Sequence, residues 1–192
     1  MHLIELIETR KIISIFIQII GSNNNKNRIV DIGAVVIEGW RKLKDGIKTG
    51  VILTNKYSAG VHCLDLSIND EISNAAVNDN QLSDSQDVKI VLQKLKEFVG
   101  EDILLGYNIE QTCGFLNSLG KQFGILFNNK LLDTLAIAKS IYKDKIKSYS
   151  LIDLAQRQGV LGKTFCALDN ACNTANLLGE LALRDDEAHC NY

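Results

Sequence analysis

The chain has no proline in 192 residues. Its turns must therefore rest on glycine, asparagine and aspartate, which accept the backbone angles that tight turns demand. No sign of charge prevails: 21 Lys and Arg stand against 23 Asp and Glu. No global field draws in a polyanion, so any nucleic-acid contact has to come from a local basic face. None of the five cysteines (63, 113, 166, 172, 190) forms a C-x-x-C pair, so zinc is not expected and reduced thiols are. His62-Cys63 and His189-Cys190 would make a site only if folding brought them together. No run reaches the roughly 18 uninterrupted apolar residues of a membrane span. The most apolar stretch, "MHLIELIETRKIISIFIQII", is broken by Glu5, Glu8, Arg10 and Lys11. It lacks the basic start and small-residue end of a signal peptide, which makes the cytoplasm the expected location. The absence of a G-x-G-x-x-G motif and of a P-loop argues against a Rossmann or nucleotide-phosphate fold.

What is present fits one ordinary globular domain over 1–192, with its core at about 12–183, since 46% of residues are hydrophobic and 23% charged. Two β-rich runs, Ile12–Ile20 and Arg28–Glu38, flank Asn23-Asn24-Asn25 and read as a hairpin. A third run, Gly46–Thr54, is expected to pair with the second across "RKLKD", so three antiparallel strands open the chain. Residues 55–85 read as a long polar connection. Val88, Val91, Leu92, Leu95, Phe98 and Val99 then recur at helical spacing. A short strand Ile103–Tyr107, a helix Glu110–Phe123, a brief strand Leu131–Asp133 with a helix through Ile141, a Ser150-capped helix Leu151–Gln158 and a last helix Ala167–Leu183 follow. The order predicts an α/β fold: a central mixed five-stranded sheet, three antiparallel strands and then parallel additions, flanked by helices.

Five segments, in order, carry a family resemblance: "FIQIIG…RIVDIGAV", "YNIEQTCGFLN" (107–117), "LLDTLAIAKS", "KSYSLIDLAQRQGV" and "FCALDNA" (165–171). Together they resemble the DnaQ-like, or DEDDh, 3′–5′ exonucleases, which implies the RNase H-like exonuclease fold. The resemblance also implies a mechanism in which four carboxylates hold two divalent metals and a histidine acts as general base. The positions that match those five groups are Phe16, Gln18, Thr112, Phe165 and Asn170. None is a carboxylate or a histidine. Mg²⁺ requires hard anionic oxygens, so the expectation is a pseudoenzyme with no metal cofactor and no exonuclease activity. Among nearby acids, Asp31, Glu110, Asp133 and Asp169 are read as solvated or capping residues.

A neutral cleft holding Phe16, Phe165, Tyr107 and Asn108 suits a base or a single strand, whereas the competing expectation is that the two phenylalanine rings plug the old cavity. The plug is preferred on the apolarity of both rings. Lys139, Lys143, Lys145 and Lys147 form a basic run beside this region. The candidate ligand is single-stranded DNA or RNA. An assembly role, with a protein partner or a second copy of the chain, is the other expectation; an active nuclease with a rearranged site is the third. The ending "LRDDEAHCNY" leads one to expect no extended tethering tail.

Overall fold

A computed structural model of the chain describes residues 3–20, 28–42, 49–61 and 86–190. The Asn23–Asn25 loop, most of "RKLKD", the 62–85 part of the connection and the side chains of His62, Cys63, His189 and Cys190 lie outside them. The elements are α1 (Leu3–Thr9), β1 (Ile12–Ile20), β2 (Arg28–Lys42), β3 (Thr49–Gly60), α2 (Val88–Val99), β4 (Ile103–Gly106), α3 (Ile109–Gly120), β5 (Leu131–Asp133), α4 (Thr134–Tyr142), α5 (Leu151–Arg157) and α6 (Ala167–Cys190).

The five strands lie in the order β3-β2-β1-β4-β5. β1 pairs antiparallel with β2, and β2 with β3, whereas β4 and β5 run parallel to β1. The mixed five-stranded sheet expected from the order of the segments is therefore the observed one.

Strand alternation assigns two cores. Ile13, Ile15 and Ile17 of β1 join Ile32, Ala34 and Val36 of β2 against Val91, Leu92 and Leu95 of α2 and Ile109 and Leu116 of α3. Ile12 of β1 faces the other way and packs with Val35, Ile37, Ile7 of α1, and Ala171, Ala175 and Leu178 of α6. Each large side chain buried in these layers contributes about 1.5–3 kcal/mol. The alanines on α6 let the helix lie close to the sheet, and Gly179 continues that face: a Cβ there would stand 3.3 Å from Val51. Ala138, Leu151, Leu154, Leu177 and Leu181 form a third cluster where α4 and α5 meet α6.

The helices start on recognisable caps. Asp87 accepts from Lys89 N at 2.8 Å before α2, Asp133 from Leu135 N at 2.8 Å before α4, and Ser150 from Asp153 N at 3.1 Å before α5.

Several expectations need correction. The chain opens with a helix, α1, ahead of the three strands. β2 runs on through Lys42, so the start of "RKLKD" is strand and not turn; the ladder shifts register between Ile37 and Trp40, with Gly39 at φ 98° in the irregularity. β3 spans Thr49–Gly60, so residues 55–60 are strand and not surface connection. α6 extends to Cys190, beyond the expected Leu183.

Candidate functional site

Ser14, Phe16 and Gln18 alternate on the β1 face that looks towards α6. Asp31 and Gly33 occupy the matching face of β2, with Gln18 opposite Asp31 and Phe16 opposite Gly33 in the ladder. α6 is seated on this face by backbone contact. The Ser14 hydroxyl, fully buried, donates to Ala171 O at 2.7 Å. A Cβ at Gly33 would fall 2.1 Å from Leu168 N, so the first turn of α6 rests on bare backbone.

The N-terminus of α6 is closed by the chain's own groups. Asp31 Oδ2 accepts from Ala167 N at 2.8 Å, Asp169 Oδ2 from Phe165 N at 3.1 Å, and Cys166 Sγ from Asp169 N at 3.4 Å. Asn170 Nδ2 turns back to Cys166 O at 3.2 Å. A helix N-terminus attracts anions through its free N–H groups and dipole. Here the Asp31 carboxylate already takes the first N–H of the helix, and Asp169 ties down the Phe165 N–H just ahead of it. Asp31 is 1% exposed, and burial raises its pKa above the usual carboxylate value. The bonds from Ala167 and Ile32 pull it back, and the nearby Asp169 raises it again. Asp31 is thus a buried cap and anchor for α6, the capping one of the two roles the sequence suggested and not the solvated one.

The two phenylalanines part company. Phe16 is half-buried and packs against both the α6 and the α4–α5 clusters. Phe165 is 65% exposed and plugs nothing. The preferred plug is therefore corrected for Phe165, whose ring is exposed. The loop before Phe165 is clamped by the buried Asn173, whose Oδ1 accepts from Gly162 N and whose Nδ2 donates to Lys163 O, both at 2.8 Å. The ring is displayed on a held loop. Asn173 carried no motif signal in the sequence.

Tyr107 packs on the α4–α5 cluster and donates its hydroxyl to Tyr149 O at 2.7 Å. Asn108 sits in the left-handed region (φ 54°), with its N–H on Asp133 Oδ1 at 3.0 Å and its amide on Gln111 at 2.7 Å. Asp133 thus supports both the β4–α3 turn and the start of α4. Thr112 lies in the first turn of α3, directly behind that turn. Lys139, Lys143, Lys145 and Lys147 are all exposed. Tyr149 Oη donates to Lys143 O, so the basic loop and Tyr107 are joined through one residue.

Thiol chemistry gains no support from the three described cysteines. Burial pushes the Cys113 thiol up to about 11, and it raises Cys166 and Cys172 as well, so all three stay protonated at neutral pH. Among the described residues, no group of three His, Cys, Asp or Glu could hold a metal ion. None of the described helices is long and apolar enough to cross a membrane.

A five-stranded mixed sheet with α6 laid across β1 and β2, and with a turn and helix following β4, is the RNase H-like architecture of exonuclease domains. The family model described as Exonuclease matches residues 19–178, and the chain belongs to that DnaQ-like exonuclease family. It is 30% identical over 141 residues to the DNA polymerase III subunit epsilon of Aquifex aeolicus, covering 72% of this chain and 63% of that one. It is 28% identical over 140 residues to a DNA polymerase III PolC-type protein of Caldanaerobacter subterraneus subsp. tengcongensis, covering 73% of this chain and 9% of that one. The chain thus spans less than two thirds of either relative. Among solved structures, the nuclease domain of a DEDDh family member bound to rAMP superimposes with a TM-score of 0.66 at 15% identity, covering 88% of this chain and 91% of the other. Exonuclease I superimposes with a TM-score of 0.72 at 10% identity, covering 95% and 44%.

Proposed function

We propose that this chain is an exonuclease-family domain that has lost two-metal catalysis and binds single-stranded DNA or RNA, in the cytoplasm and within a nucleic-acid-processing assembly. The observation that carries the reading is the donor set at the five family positions. Phe16, Gln18, Thr112, Phe165 and Asn170 offer neutral oxygens at three places and apolar rings at two. That set does not fit a pair of Mg²⁺ ions, each of which needs anionic oxygens in near-octahedral array. Phe165, displayed on its clamped loop, supports base stacking, and the exposed Lys143, Lys145 and Lys147 support phosphate contact.

One observation favours a second reading, an active nuclease with a rearranged site. Asp31 and Asp169 are close enough to affect each other's environment, beside Gln18 and Asn170. Against it, Asp31 already accepts the Ala167 N–H at the start of α6, and Asp169 the Phe165 N–H of the preceding loop.

Fluorescence anisotropy with labelled single-stranded DNA and RNA tests the binding. The chain is expected to bind, with affinity that falls as salt rises, and Phe165→Ala is expected to lose about 1–3 kcal/mol, or at least about fivefold in affinity. Absence of any salt-sensitive binding, or a Phe165→Ala variant as tight as the parent, would count against this function.

A further inference from the structure

Between the Lys143–Lys147 loop and α5 lies a basin of about 590 Å³, lined by Lys145, Lys147, Ser148, Asp153, Gln156 and Arg157 among others. Asp153 and Arg157 are four residues apart on α5, the spacing at which an ion pair normally bridges one helical turn. That pair is not formed. Asp153 Oδ2 instead accepts from the Ser148 hydroxyl and from the Ser150 hydroxyl at 2.7 Å, and these two bonds hold its carboxyl below the usual value. The Asp153 carboxylate is turned towards the two serines, away from the cation a turn later. Among the described residues, none of Lys145, Lys147 and Arg157 forms an ion pair. All three are exposed. Among the described side chains that line the basin, three cations stand against one carboxylate, an excess of two positive charges.

The loop that supplies two of these cations is held in an unfavourable shape. Lys143 has φ 49° and ψ −128°, a conformation that side-chain-bearing residues avoid at a cost of roughly 1–3 kcal/mol. Tyr149 fixes it from one side, and Tyr107 fixes Tyr149. A strained segment over-determined by its neighbours is a common feature of ligand-holding loops.

We propose that this basin is a phosphate-binding subsite, which takes a backbone phosphate of a bound single strand on Arg157, Lys145 and Lys147, with the Gln156 amide as a neutral donor. The subsite rests on the strand-binding function proposed above. Arg157 is the centre of it, because a guanidinium grips phosphate through two parallel N–H bonds where an ammonium offers one point of charge.

The test compares the parent chain with Arg157→Gln and with Lys121→Gln, an exposed lysine outside the basin. Anisotropy is measured with labelled oligo-dT and oligo-U at several salt concentrations. Arg157→Gln is expected to flatten the slope of log affinity against log salt by about 0.7, the value for one phosphate contact of a single strand, with its melting temperature unchanged. Lys121→Gln is expected to keep the parent slope. A parent that binds and an Arg157→Gln variant with the same slope would overturn the subsite and leave the strand-binding function standing. If the parent binds no strand, that function falls, and a titration with inorganic phosphate followed by NMR decides the basin alone. A shifted Arg157 Nε–H resonance then assigns it to free phosphate; an unmoved one ends the proposal.

Discussion

Replacing Gly33 by alanine is expected to destabilise the chain by about 3 kcal/mol or more, the upper range for overpacking a rigid contact. The new methyl group would lie 2.1 Å from Leu168 N and 2.3 Å from Ala167 C, which are backbone atoms with no rotamer to retreat into. Either β2 or the first turn of α6 must move, and the Asp31–Ala167 and Ser14–Ala171 bonds hold both in place. For a chain of this size the loss corresponds to a fall of about 6–12 °C in melting temperature. Gly114 supplies the opposite sign. It lies inside α3, and nothing stands within 4 Å of the place a Cβ would take, so Gly114→Ala is expected to stabilise by about 0.5–1 kcal/mol. Thermal melts of the two variants side by side separate the close approach of α6 from any general dislike of substitution.

Asp31 carries the second large effect. Asp31→Ala leaves the buried Ala167 N–H without an acceptor and is expected to cost about 1–3 kcal/mol. Asp31→Asn keeps an oxygen for that bond and removes a desolvated charge. The pKa of Asp31 is raised in the folded chain above its ordinary value of 3.8. Its contribution to stability is therefore fully present below 3.8 and is lost as pH rises through the folded value, where ionisation in a buried site opposes folding. Asp31→Asn should consequently match or exceed the parent in urea denaturation at pH 7. The parent should recover relative to it as the pH is lowered towards about 4. A parent that instead loses ground to the asparagine variant on acidification would mean the carboxylate is stabilised as an ion.

The strands and most helices were legible because their periodicities are clean. Ile12–Ile20 alternates two buried faces, and Val88–Val99 repeats its apolar residues each turn. Helix α1 was not legible, because Leu3, Ile4, Leu6 and Ile7 run into the apolar β1 with only a short polar break, and nothing in the composition separates a short helix from a strand there. The end of β2 was hidden by an irregularity at Gly39 that lets a polar stretch continue as strand.

At the site, the identity of positions 16, 18, 112, 165 and 170 could be read directly, since it depends only on residue type and order. Their surroundings could not. Phe16 and Phe165 are the same residue, yet one is packed by two clusters and the other projects from a loop clamped by Asn173. The charge left open at Arg157 was equally hidden, because it depends on which way Asp153 turns.

The proposed loss of catalysis is tested most directly by incubating the purified chain with 5′-labelled single-stranded DNA and RNA in Mg²⁺ or Mn²⁺, with EDTA controls. The oligonucleotides are expected to remain full length under every condition. Metal-dependent shortening from the 3′ end, abolished by EDTA, would contradict it.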